Sequence, residues 1–186
     1  TTSRDGIHWE RANNRATFIP NGPDGSYDSG YHNEFSNPPL RFGDELYFYY
    51  GSTRGGKTGM RTKLDTGSIC LAKLRVDGFA SLHPKKEDEP AYVITRPLDF
   101  TGEVLYVNAD ASNGQVCVEI LSGEVNNDLS PIPGYSMQES LPLISDDIEQ
   151  KVVWKKYPNM AYLKGKRIRL KFYLSGTAGL YIFTIR

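Results

Sequence analysis

Between Asp28 and Ser36 the chain gathers the side chains best suited to chemistry. Asp28, Tyr31, His32, Asn33 and Glu34 follow one another within a few positions. His32, Asn33 and Glu34 can bond hydroxyl groups. The asparagine amide can donate and accept hydrogen bonds, and the tyrosine offers an apolar ring with a polar tip. Further along, Arg54 and Lys57 can hold a carboxylate or sulfate through charge-assisted bonds. Each group also has a plainer use. Polar loops are commonly solvated and cap their own turns, and Gly55-Gly56 fits a flexible solvated stretch around the two cations.

Other reactive residue types are scattered. Three His and two Cys, Cys70 and Cys117, form no Cys-x-x-Cys or His-triad spacing, so no zinc or redox centre is expected. Both cysteines sit in alternating apolar runs, where small buried hydrophobes are expected ahead of a disulfide. Asp110, Asp146 and Asp147 are oxygen ligands by type, but no Asp-x-Asp-x-Asp-Gly loop surrounds them. No metal and no cofactor is expected. His83 reads as part of a solvated loop.

These groups must be positioned by strands. The chain has 186 residues, 39% hydrophobic and 24% charged, with Lys+Arg and Asp+Glu both 22. That balance gives no electrostatic case for nucleic acid or an anionic membrane as partner. Twelve tyrosines suit half-buried strands, and eighteen Gly with eleven Pro suit many turns. No apolar run is long enough to span a bilayer. Strand signals recur at 45–50, 67–75, 92–95, 103–107, 115–121, 151–154, 167–174 and 179–185. Asp77-Gly78 reads as a hairpin turn leading into Phe79–Leu82. No window sustains a helical period, so the expected fold is all-β. Residues 52–66 are Gly-rich, basic and strand-poor, placing a boundary near residue 65.

At the start of the chain, Ser3-Arg4-Asp5-Gly6 precedes Trp9. Asp5-Gly6 is a hairpin-turn dipeptide, and turn-stabilising bonds account for Ser3 and Asp5. A hairpin there calls for a strand before Thr1, so the chain reads as the C-terminal part of a longer protein.

Ser3-x-Asp5-Gly6-x-x-Trp9 resembles a turn that recurs in the blades of five-bladed β-propeller glycosidases similar to glycoside hydrolase families 32, 43 and 68. Tyr27-Asp28-Ser29-Gly30 and Gly43-Asp44-Glu45-Leu46-Tyr47-Phe48-Tyr49-Tyr50-Gly51 resemble the following blade. The remainder, including 69–82, Thr95-Arg96-Pro97-Leu98, 105–110, Ile132-Pro133-Gly134-Tyr135-Ser136 and 170–174, looks like the β-sandwich appended to such propellers in bacterial proteins. The resemblance implies a partial propeller blade over 1–65 with its linker, followed by an antiparallel jelly-roll or lectin-like β-sandwich over 66–186. It implies carbohydrate as ligand, the propeller's earlier blades as partner, and a secreted or periplasmic location.

In that setting Asp28 to Glu34 would face the propeller funnel. Tyr31 would stack on a sugar, and His32, Asn33 and Glu34 would bond its hydroxyls. Arg54 and Lys57 would meet an anionic sugar, and Trp9 would pack between blades. Glycoside hydrolysis needs two carboxylates flanking the scissile bond, and the family carries them mostly on earlier blades. The Asn-Asp-Pro, Arg-Asp-Pro and Glu-Cys segments of family 32 are absent here. No catalytic residue is therefore assigned, and the chain alone is expected to be inactive. Two alternatives stand beside this reading: a purely structural sandwich, and a non-catalytic glycan-binding protein.

Overall fold

The computed structural model describes every residue except 12, 37, 56–66 and 124–128. The described residues are all-β, in three antiparallel sheets, none of them closed. The chain divides into two compact units, Thr1–Leu74 and Arg75–Arg186. The boundary expected near 65 precedes the fourth strand, whereas the compact units part just after its penultimate residue.

The first unit opens with a loop closed by an antiparallel bridge between Thr2 and Glu10. Its sheet holds β1 (Tyr31–Phe35), β2 (Leu40–Phe42), β3 (Glu45–Thr53) and β4 (Gly67–Arg75), whose last residue already belongs to the second unit. The central strand β3 pairs with β1 along its second half, with β2 along its first, and with β4. The β2–β3 hairpin has a two-residue loop, Gly43-Asp44, with Gly43 at φ 58. A residue with a Cβ is strained in that position, and glycine is not.

Alternation along the strands gives the sheet two unlike faces. Phe48, Tyr50, Ser52 and Cys70 are buried on one. Phe18 meets Phe48 edge-on at 6.0 Å, and Phe35 and His32 lie against Tyr50. The other face carries Phe42 against Tyr47 at 4.8 Å, with Lys73 above the Tyr47 ring and bonded to Glu45. Ile69 and Leu71 share that face with Lys73 by the strand's period. They are 88% and 42% exposed, and Phe42 is 54% exposed.

The second unit contains two three-stranded sheets. One has the order β10 (Gly179–Ile185), β6 (Leu105–Asp110), β8 (Asp146–Lys151). The other has the order β5 (Ala91–Ile94), β9 (Ile168–Gly176), β7 (Gly114–Ser122). Both sheets supply one hydrophobic cluster, including Leu105, Val107, Val118, Ile120, Leu170, Phe172 and Leu180. The charge–apolar alternation of 167–174 is realised in β9: Ile168, Leu170, Phe172 and Leu174 enter the core, while Arg169, Lys171 and Tyr173 face outward. Only two residues separate β9 from β10. Gly176 makes this possible at φ 61, where a Cβ would lie 2.3 Å from the Asn113 carbonyl oxygen.

Two strand expectations are corrected. The Asp77-Gly78 turn forms, with Gly78 N–H donating to Arg75 O at 3.0 Å, but no return strand follows. Leu82 instead bridges Leu180, because β10 offers an already extended partner. The expected strand at 151–154 does not form: β8 ends at Lys151, and 152–153 lie in no strand. Trp154 lies beyond β8, bridged to Ser140. No helix among the described residues is long and apolar enough to cross a membrane.

Candidate functional site

The residues from Asn21 to Glu34, with Arg54, form a continuous polar arrangement in the first unit. The Ser26 carbonyl is its hub. It accepts from Ser29 Oγ at 2.9 Å, from the Ser29 amide at 3.4 Å and from Arg54 Nε at 3.4 Å. Asn21 Nδ2 donates to the carbonyls of Ser29 and Gly30, and the Gly30 amide reaches Thr53 O on β3. The loop is thus tied to the sheet by backbone and short side chains together. Asp28 lies inside it, with Ser26 Oγ donating to its Oδ1 at 2.7 Å. Gly22 leaves room for that carboxylate, since a Cβ at 22 would stand 2.1 Å from Asp28 Oδ1.

The strand that follows distributes the candidate residues over both faces. Tyr31 pairs with Thr53 and His32 with Ser52, so their side chains point oppositely. His32 lies on the covered face, its ring 4.9 Å from Tyr50 and its Nε2 3.3 Å from Asp28 O. Asn33 lies on the open face beside Gly51, whose absent Cβ leaves space for Asn33 Nδ2. The register slips between His32 and Phe35, and Glu34 within this irregularity is exposed. Asp28 and His32 are therefore brought together, as are Arg54 and the Ser26 carbonyl. Tyr31 and His32 are not brought to one face. Lys57 lies outside the described residues.

Tyr50 and Cys70 are both buried on the covered face. Burial and then the nearby charges, Asp28 among them, push the Tyr50 hydroxyl up in pKa. Burial and then Asp28 raise the Cys70 thiol. Both groups stay protonated at neutral pH, which removes Cys70 as a nucleophile. Both cysteines are free and buried.

The Ser3–Trp9 loop carries the bonds its spacing suggests. Asp5 Oδ1 accepts from the amides of Ile7 and His8, each at 2.8 Å. Ser3 Oγ donates to Asp5 and accepts from the Gly6 amide at 2.8 Å. Trp9 Nε1 donates to Gly6 O at 3.1 Å, and the indole remains 61% exposed. The bond to His8, then the two amides, hold the Asp5 carboxyl well below the usual carboxylate range.

In the second unit the aspartates are engaged by protein groups. Asp110 bonds Ser112, Asp147 accepts the Glu149 amide, and Asp146 pairs with Arg75 at 2.5 Å. Arg75 also stands 4.4 Å above the Tyr181 ring. Among the described residues no group of three His, Cys, Asp or Glu side chains is arranged to hold a metal. Sequence reading passed over Glu119, which is buried on β7. It accepts from Tyr173 Oη at 2.9 Å and the Met137 amide at 3.0 Å, with Lys171 at 3.8 Å. Its satisfied oxygens mark a structural network. A charged residue inside the alternating run 115–121 was the available signal.

No family model, no curated protein and no solved structure matches the chain.

Proposed function

We propose that the chain belongs to a carbohydrate-active protein, with the first unit serving as a propeller blade and the second as an antiparallel β-sandwich that supports the protein and presents a surface to glycan. One observation carries the blade reading: the open face of the first sheet, where Ile69, Leu71 and Phe42 stand exposed beside Tyr47. A sheet with one face covered and large apolar side chains exposed on the other offers that face to a second layer. A neighbouring blade supplies such a layer. The bonded Ser3–Trp9 turn supports the same reading, because it has the residues and the geometry of a tight inter-strand loop.

The resemblance of that turn to propeller glycosidases supplies the ligand class. Within this reading Asn33, Tyr31, Glu34 and Arg54 are the sugar-contacting groups, whereas Asp28 and His32 shape the loop beneath them. Hydrolysis is assigned to no residue of this chain. The test is a glycan array with the protein as the cell makes it, repeated with Asn33→Ala and Glu34→Gln. Binding to a defined oligosaccharide that falls in both variants supports the reading. Absence of binding, or binding indifferent to both substitutions, overturns it.

A further inference from the structure

Residues 155–167 of the second unit run Lys-Lys-Tyr-Pro-Asn-Met-Ala-Tyr-Leu-Lys-Gly-Lys-Arg, with five cations and no carboxylate, in a chain that is neutral overall. The segment is held firmly. Trp154 just before it, and Met160 and Leu163 within it, are fully buried in the core. Trp154 and Tyr157 exchange backbone bonds at 2.9 and 3.1 Å, and the Leu163 amide donates to Met160 O.

From this base a ladder of tyrosines climbs to the surface. Tyr135, buried, stacks on Tyr157 at 4.8 Å with ring planes 14° apart. Tyr157 meets Tyr162 at 5.0 Å and 48°, and Tyr162 is 71% exposed. Gly134 makes the stack possible, because a Cβ there would stand 2.2 Å from the Tyr157 ring. The cations are not all neutralised. Lys164 pairs with Glu103 and Arg167 with Asp99. Lys155, Lys156 and Lys166 are exposed and have no carboxylate within ion-pair distance among the described residues. Lys156 Nζ stands 5.3 Å from the Tyr157 ring centroid.

We propose that this corner is a binding site for an acidic polysaccharide, a chain of sugars bearing carboxylates. The exposed Tyr162 ring gives a sugar's apolar face something to stack on, and its hydroxyl stays in water. The unneutralised lysines give the carboxylates point-charge partners without demanding one fixed geometry. A single-stranded nucleic acid fits less well. It needs successive stacking platforms along a basic groove and is drawn by net positive charge. Here one ring is freely exposed and the whole chain is neutral. The proposal names a ligand for the second unit and does not depend on the blade reading of the first, so either can fail alone.

The test is affinity electrophoresis of the whole chain through gels containing sodium polygalacturonate, each run compared with a gel lacking polymer. The expected result is retardation that weakens as salt rises. Tyr162→Ala should bind about five-fold more weakly, and the combined Lys155→Ser, Lys156→Ser and Lys166→Ser variant should lose retardation. The thermal melt of the triple lysine variant should match the parent, since those side chains are exposed, and that of Tyr162→Ala should fall only slightly, by the loss of its ring contact with Tyr157. Lys85→Ser, at an exposed lysine outside residues 155–167, should bind polygalacturonate unchanged. No retardation, retardation untouched by these substitutions, or stronger retention by single-stranded DNA than by polygalacturonate overturns the proposal.

Discussion

The indole N–H of Trp154 donates to the carbonyl oxygen of Val118 at 2.8 Å, inside the core. Val118 lies on β7, whose other edge is already paired to β9. The Val118 amide in turn donates to Ser140 Oγ at 3.0 Å. Two side chains thus satisfy a stretch of buried strand edge that no neighbouring strand reaches, which is what a buried backbone requires. Trp154→Phe keeps most of the ring and orphans the carbonyl, so unfolding in denaturant should show a loss of about 1–3 kcal/mol. An unchanged midpoint would mean that water or a shifted side chain replaces the indole.

His32 and Glu34 should separate cleanly. His32 packs on Tyr50, so His32→Ala should lower stability by about 0.5–1.5 kcal/mol, the range of an aromatic pair. Glu34 is exposed, and Glu34→Gln should stay within about 0.5 kcal/mol of the parent. Denaturant unfolding of both variants checks this, and equal effects would contradict the packing of His32 on Tyr50 or the exposure of Glu34.

The Ser3–Trp9 loop should resist acid. The Asp5 carboxyl titrates below its ordinary value of 3.8, so its contribution is complete above that pH and is lost only as pH falls through the lowered value. Amide exchange at Ile7 and His8 should stay protected at pH 3.8 and be faster in Asp5→Ala than in the parent at the same pH. Loss of protection above pH 3.8 in the parent would show that the carboxylate does not hold the loop.

Alkali should reach the second unit through Tyr135. Burial first, then Tyr157 and Tyr162, push its hydroxyl up to about 12 from 10.0. The raised value means stability is complete below pH 10 and declines as pH rises toward 12. Tyrosinate absorbance should therefore include a late component that appears together with unfolding. A smooth titration finished near pH 10 with the fold intact would contradict the buried position of this hydroxyl.

Much of this architecture is legible in the residues, and the failures have physical causes. The strands at 67–75 and 179–185 can be read to the residue because each opens on a glycine and alternates from there. By contrast, Asp146-Asp147-Ile148-Glu149-Gln150-Lys151 forms β8 with almost no apolar signal. It is a strand because β6 offers it an edge, with Asp110 opposite Asp146, and Arg75 offsets the resulting charge. The candidate site was half legible. The clustering of Asp28 to Glu34 is visible in the spacing, but its division between two faces depends on strand register and the irregularity after His32. The tyrosine ladder joins residues 135, 157 and 162, which no local pattern connects.

The blade reading stands on the open face of the first sheet, and the accessibility of position 69 tests it most directly. Ile69→Cys introduces a thiol where the side chain is 88% exposed, while Cys70 and Cys117 are buried with raised thiol values and give little background. Maleimide labelling of this variant should proceed at the rate of a free surface thiol in the isolated 186-residue chain. In the protein as the cell makes it, a neighbouring blade should cover the position and slow labelling by at least about ten-fold, the ratio that corresponds to an opening cost of 1.4 kcal/mol. Equal labelling rates in the two would leave this face bare and contradict the account.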